Sequence, residues 1–233
     1  MKRAATTMIV LMVALVASVA FTTVADAALR SPQVPVLGGT LQAYLNSVGE
    51  SILVNSAQNS TQLWTPTIST TTHYTLMLES SPNATLNNFG IYNGSDAAPL
   101  LRLLLAGAAT PQAFVTATFK PGNLLVVNRF DALGNFIGGQ TFTGVDPTGF
   151  GFYLQGPNGT FYTQDARNPG GRAQAVTYQG TGANAGTWWL CFEENSVAAG
   201  SDQDYDDCVI QMESVNTTPV STTTWGRLKA RFQ

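Results

Sequence analysis

Six carboxylates crowd a short stretch near the C-terminal end: Glu193, Glu194, Asp202, Asp204, Asp206 and Asp207, within WWLCFEENSVAAGSDQDYDDCVIQME. No Lys or Arg occurs from Ala173 to Gly226, so no sequence neighbour neutralises them. Two carboxylates about 5 Å apart repel by roughly 1 kcal/mol in water and about 3 kcal/mol at an effective dielectric near 20. A loop of this kind needs open solvent or a cation. Its donors are hard oxygens with no His or thiolate among them, which makes calcium the expected ion. Asp202, Asp204 and Asp206 stand at i, i+2 and i+4, a spacing that lets three carboxylates converge in a curled loop, as in EF-hand loops. Glu213 even falls at the twelfth position of such a loop. A true EF-hand is not expected, because Asp207 occupies the sixth position, where the turn wants Gly, and the flanks read as strands. Glu193 and Glu194 would point to opposite faces of a strand, so one of the two is expected as a ligand. The competing reading is a solvated acidic hairpin that guards a sheet edge.

The elements that position this loop carry its two cysteines. Cys191 and Cys208 lie on the two bracketing strands, and in an oxidising compartment they suit a cross-strand disulfide. Closing such a loop would stabilise by about 3 kcal/mol on the chain-entropy model. Two buried free thiols are the alternative. Zinc is not expected, since the single histidine, His73, stands far upstream.

Alternating and β-branched segments bounded by turn residues recur along the chain. They predict strands over residues 51–56, 62–68, 73–79, 88–92, 113–119, 124–130, 135–142, 150–155, 160–163, 174–179, 187–193 and 208–213. The intervening turns include Asn93-Gly94, Lys120-Pro-Gly-Asn123, Asp131-Ala-Leu-Gly134 and Pro157-Asn-Gly159. Residues 99–109 (PLLRLLLAGAA) read equally as a helix or a buried strand. Many short strands with almost no helix, and no internal repeat, predict an all-β sandwich or jelly roll of antiparallel strands.

The first residues predict export. Lys2 and Arg3 precede an apolar stretch, Met8 to Val19, which runs into Ala25-Asp26-Ala27, the pattern of a signal peptide cut after Ala27. A membrane anchor is the competing reading, and no later segment approaches the ~20 apolar residues of a bilayer span. The expected organisation is a signal peptide over 1–27, one β domain over 28–215, and a Thr/Pro linker with a basic-aromatic tail over 216–233. The chain carries 11 Lys and Arg against 14 Asp and Glu, a net charge of −3, which argues against nucleic acid as a partner.

The segment Trp-x-Leu-x-Phe-Glu-Glu194, followed by Asp202-x-Asp-Tyr-Asp-Asp207, resembles a bacterial domain of unknown function numbered 4114. The stretches Gly149-Phe-Gly-Phe-Tyr-Leu154 and Phe161-Tyr-Thr-Gln-Asp165-Ala-Arg-Asn-Pro-Gly170 are similar to that family's lead-in, so the resemblance covers about Phe150 to Val215. It implies a secreted or surface protein whose acidic positions serve metal binding or enzymatic work. Carried over, those positions are Glu193, Glu194, Asp202, Asp204, Asp206 and Asp207, with Asp165 an addition. Glu194 stands where the family has Asp, Asp206 where it has Asn, and the flanking cysteines are particular to this chain. The tail has neither a Pro-Glu-Pro motif nor a membrane helix, so it departs from exosortase-type anchoring.

Three functions are therefore expected to compete. The first is a secreted, non-catalytic calcium-stabilised module of a cell surface or matrix, with glycans or proteins as partners. The second is a glycan hydrolase, which needs two carboxylates about 5–9.5 Å apart across a cleft. The third is a calcium-dependent carbohydrate-binding module with Trp188, Trp189 or Tyr205 stacking on a sugar. Serine or cysteine nucleophile chemistry lacks its motif, and His73 reads as structural.

Overall fold

The computed structural model describes residues 39–218. The expected signal peptide and the basic-aromatic tail from Trp225 lie outside the described residues.

Thirteen strands follow one helix: α1 (Thr40–Ser47), β1 (Trp64–Pro66), β2 (Thr71–Leu78), β3 (Asn88–Asn93), β4 (Arg102–Leu105), β5 (Phe114–Lys120), β6 (Leu124–Phe130), β7 (Phe136–Phe142), β8 (Phe150–Gly156), β9 (Gly159–Tyr162), β10 (Ala175–Gln179), β11 (Trp188–Phe192), β12 (Cys208–Glu213) and β13 (Val215–Thr217). Two antiparallel sheets result. One has the order β13-β1-β8-β3-β4, with β9 also on β8; the other runs β10-β11-β12-β2-β5-β6-β7. The chain is an all-β sandwich, as its alternation predicts.

The alternation is read directly in burial. On β2, Tyr74 and Leu76 face inward; on β5, Val115, Ala117 and Phe119 do; on β6, Leu125 and Val127 do. These meet Phe89 and Ile91 of β3 and Phe150, Phe152 and Leu154 of β8 to form the core between the sheets. Phe152 is its hub, stacked on Phe89 at 5.5 Å and edge-on to Trp64 and Tyr74 at 5.0 and 5.3 Å. Aromatic pairs of this geometry add about 0.5–1.5 kcal/mol each beyond burial. The β5–β6 hairpin turns at Gly122 and Asn123, whose φ angles of 82° and 57° are the left-handed values that such a turn needs.

One end of the second sheet is buried on both faces, because a second layer covers it. Leu41 and Leu45 of α1, with Ile52 and Val54 of the following segment, pack on Val176, Tyr178, Trp189, Cys191 and Val209. Here expectation and structure part. Residues 51–56 form a turn, with the amides of Ser56 and Ala57 both donating to the Leu53 carbonyl. Their alternating Ile52 and Val54 are satisfied by packing on the sheet face, without a ladder of their own. Within residues 99–109, Arg102–Leu105 forms strand β4, and α1 is a helix that the sequence reading did not place. The last strand also runs past the expected domain end: Val215–Thr217 pairs with β1, and the Thr218 amide donates to the Leu63 carbonyl at 3.0 Å.

Candidate metal centre

Strand β11 hands the chain to the acidic loop, and the alternation along it decides where the acids go. Leu190 and Phe192 face the inter-sheet core, whereas Trp189 and Cys191 face the layer under α1. Glu193 continues on the side of Cys191, and Glu194 diverges from it.

Glu193 is wholly buried. Its Oε1 accepts the Tyr205 amide at 2.7 Å. Its Oε2 has no partner of hydrogen-bond geometry; the Ser201 hydroxyl lies near enough to favour the charged form but is itself left without one. Carboxylate oxygens of Glu193, Asp202 and Asp204 lie within 4.8 Å of one another. Two calcium ligands at ~2.4 Å on opposite sides of an ion are ~4.8 Å apart, so the three oxygens are close enough to be candidate ligands of one ion. Asp202 is exposed and Asp204 half-buried, so the group runs from the interior to solvent. The loop curls through Gln203 and Tyr205, with φ of 59° and 56°, which turns Asp202 and Asp204 back toward the end of β11.

Electrostatics in the loop run against ionisation. Burial, with the charges of Asp207 and Asp202, pushes the Glu193 carboxyl up to about 7. Burial and then the Asp202 charge raise Asp204. Burial and then Asp204 raise Asp206 to about 6. Asp207 rises to about 7, again chiefly through burial, with Glu194 and Asp204 adding repulsion. Either protons or a cation relieve such a set.

The other expected ligands are placed elsewhere. Glu194 is clasped by the loop after β2: it accepts from the Ser81 hydroxyl, from Asn83 Nδ2 at 2.9 Å and from Asn87 Nδ2 at 2.8 Å. Asp207 turns back to accept the Glu194 amide at 2.8 Å. Asp206 is buried, with the Thr40 hydroxyl of α1 donating to it. Asp165 sits in a 3-10 turn and exchanges hydrogen bonds with Gln62, accepting from Nε2 at 3.1 Å while its amide donates to Oε1 at 3.0 Å. Glu213 is exposed on β12, across from His73 of β2.

The expected disulfide is corrected. Both cysteines are free and buried. The register sets Cys191 opposite Val209 and Phe192 opposite Cys208, an offset of one residue. One residue along a strand reverses the face, so Cys208 enters the inter-sheet core while Cys191 lies under α1. Burial raises both thiols above the ordinary range of a free cysteine. Two of the expected sugar-stacking rings are likewise interior. Trp189 and Tyr205 are wholly buried, and Trp189 Nε1 donates to Glu50 at 2.7 Å; Trp188 packs half-buried against the core.

Other residues that shape the centre escaped sequence reasoning. Gln174, wholly buried, accepts the Val197 amide at 2.6 Å and donates to the Asn195 carbonyl at 2.8 Å, which pins the turn after β11. A lone amide between Ala173 and Ala175 was its only signal. Ser81, Asn83 and Asn87 gave none, being more than a hundred residues from Glu194 in sequence. Glu79, half-buried at the end of β2, is pushed up to about 7 by burial and by the Glu194 charge, so the acidic region reaches across to this strand.

No known family model, curated protein or solved structure matches this chain.

Proposed function

We propose that this protein is a secreted, non-catalytic β-sandwich module that binds calcium through Glu193, Asp202 and Asp204, and that it serves as a component of a bacterial surface or matrix. The observation that carries the reading is the convergence of these three carboxylates, one of them wholly buried with an oxygen whose nearby donor, the Ser201 hydroxyl, is out of hydrogen-bond geometry. A buried carboxylate without a compensating positive charge is costly, and Glu193 has only the Tyr205 amide and the nearby Ser201 hydroxyl. The charges acting on Glu193 are those of Asp207 and Asp202, which share its sign. A divalent ion supplies the missing positive charge. Calcium suits the site better than magnesium, because it accepts irregular shells of about 6–8 oxygens, whereas magnesium demands near-ideal octahedra.

Export rests on the basic, apolar and small-residue pattern of the first 27 residues. The bacterial surface setting rests on the acidic-box resemblance. Glu193 is enclosed, so it has no access to a polymer as an acid or base, which favours a structural ion over a hydrolase pair. Extracellular calcium modules bind at roughly 10⁻⁴–10⁻³ M, in keeping with a permanently loaded site outside the cell. The test is thermal unfolding of the full-length protein in calcium, in magnesium and in excess chelator. At a hundredfold excess over its Kd, calcium adds about 2.7 kcal/mol, equivalent to several degrees in a domain of this size. Equal Tm values in all three conditions would overturn the reading.

A further inference from the structure

Asp202, one of the three carboxylates, lines an open depression of about 530 Å³. Its polar lining comes from three separate elements. The β8–β9 hairpin tip supplies Asn158, the turn after β11 supplies Asn195 and Ser196, and the acidic loop supplies Ser201 and Asp202. Asn158 Nδ2 donates to Asn195 Oδ1 at 2.9 Å, which ties the first two elements together across the depression. Gln174 holds the Asn195–Val197 turn from below through its two hydrogen bonds. The Asn195–Val197 part of the lining is thus positioned by a buried side chain.

Asp202 belongs both to this lining and to the carboxylate group. An ion held by Asp202 lies beside the depression, with buried Glu193 behind it. Three carboxylates leave part of a shell of about 6–8 oxygens to be filled by other donors.

The chemistry of the lining selects among ligands. Amides, hydroxyls and one carboxylate hydrogen-bond neutral hydroxyl groups. No Lys, Arg or His lines the depression to pair with phosphate or sulfate. The only apolar side chain is Ala199, too small to seat a lipid chain or an anchoring peptide side chain. The lining is built from turns and a hairpin tip, so it offers no strand edge for a peptide to extend.

We infer that this depression binds a neutral glycan: vicinal hydroxyls of one sugar complete the shell of the calcium held by Glu193, Asp202 and Asp204, and Asn158 and Asn195 hydrogen-bond adjoining hydroxyls. Recognition is by coordination and hydrogen bonding, since Trp189 and Tyr205 are interior. The inference rests on the calcium reading above and adds the ligand class to it.

The experiment probes the full-length protein, made in bacteria, on an array of neutral, sulfated and uronate-bearing glycans, with calcium and with excess chelator. Calcium affinity is measured in parallel by titration calorimetry. The Asn158→Ala/Asn195→Ala double variant removes exposed side chains only, so it is expected to fold and to bind calcium unchanged. Expected is retention on neutral glycans that disappears in chelator and falls at least about tenfold, or 1.4 kcal/mol, in the double variant. Intact calcium binding without glycan retention would overturn this inference and leave the calcium module standing. Retention that survives chelator, that is confined to charged glycans, or that the double variant leaves unchanged would overturn it as well. Absence of calcium binding would overturn both readings.

Discussion

At the residue scale, Glu193 sets the behaviour of the acidic loop. One of its oxygens is held by the Tyr205 amide, and its carboxylate lies within 4.8 Å of those of Asp202 and Asp204. Glu193→Gln keeps the first interaction and removes the buried charge. In chelator at pH 8 the variant is expected to melt a few degrees above the parent, at roughly 2–4 °C per kcal/mol. In calcium it is expected to show no further rise. A parent-like calcium shift in Glu193→Gln, followed by differential scanning calorimetry, would remove Glu193 from the ligand set. The cysteines make a second residue-scale case. Each packs in a different core, so a thiol reagent is expected to label both only after denaturation, and dithiothreitol to leave Tm unchanged. An intact mass two hydrogens short, restored by reductant, would contradict the free-thiol geometry.

At the element scale, the centre depends on how β11 ends and on what lies over it. Gln174 bonds the turn after β11 at two points, so Gln174→Ala leaves the buried Val197 amide unsatisfied and frees the part-exposed Asn195 carbonyl to water. The expected cost is about 1–3 kcal/mol for the buried amide left without a partner, and calcium affinity is expected to fall with it. Helix α1 acts differently. Leu45 is wholly buried against the outer face of β10–β12, and Leu45→Ala is expected to cost about 2–5 kcal/mol through the cavity left behind. Because Leu45 does not touch the carboxylates, the calcium-induced rise in Tm should persist in this variant. Calorimetry of both variants, with and without calcium, separates an element that shapes the site from one that only covers the sheet. A calcium response lost in Leu45→Ala and kept in Gln174→Ala would reverse the two assignments.

For the whole molecule, the raised acids translate into a pH profile. Glu79, Glu193, Asp206 and Asp207 are pushed to about 6–7, above the values near 4 of an unfolded chain. The folded metal-free protein therefore binds protons that the unfolded chain releases. Its stability is complete below about pH 4 with respect to these groups and is lost as pH rises through about 6–7. In chelator, Tm is expected to fall from pH 5 to pH 8. On the proposed calcium reading the ion replaces the protons, so its stabilising effect should be largest at pH 8 and small at pH 5. A calcium shift independent of pH would mean that the ion binds somewhere other than this loop.

Much of the sandwich is legible along the chain because period-2 alternation is a local signal. The expected 124–130 and 208–213 strands coincide with β6 and β12, and residues 99–109, open between helix and strand, settle as β4 around Arg102–Leu105. The crowding of acids is equally local, and so is the divergence of Glu193 from Glu194, since adjacent residues on a strand face opposite ways. What the chain could not show by itself is which strands pair and in what register. Register sets Cys191 against Val209 instead of Cys208, and so divides the two thiols between different cores. Pairing of β12 with β2 brings the Ser81–Asn87 loop to the end of β11, where it captures Glu194. The curl at Gln203 and Tyr205 brings Asp202 and Asp204 to Glu193 while Asp206 and Asp207 turn inward to other partners. Residue types and alternation are properties of the chain alone; convergence of oxygens on one point depends on register and loop closure, which only long-range packing sets.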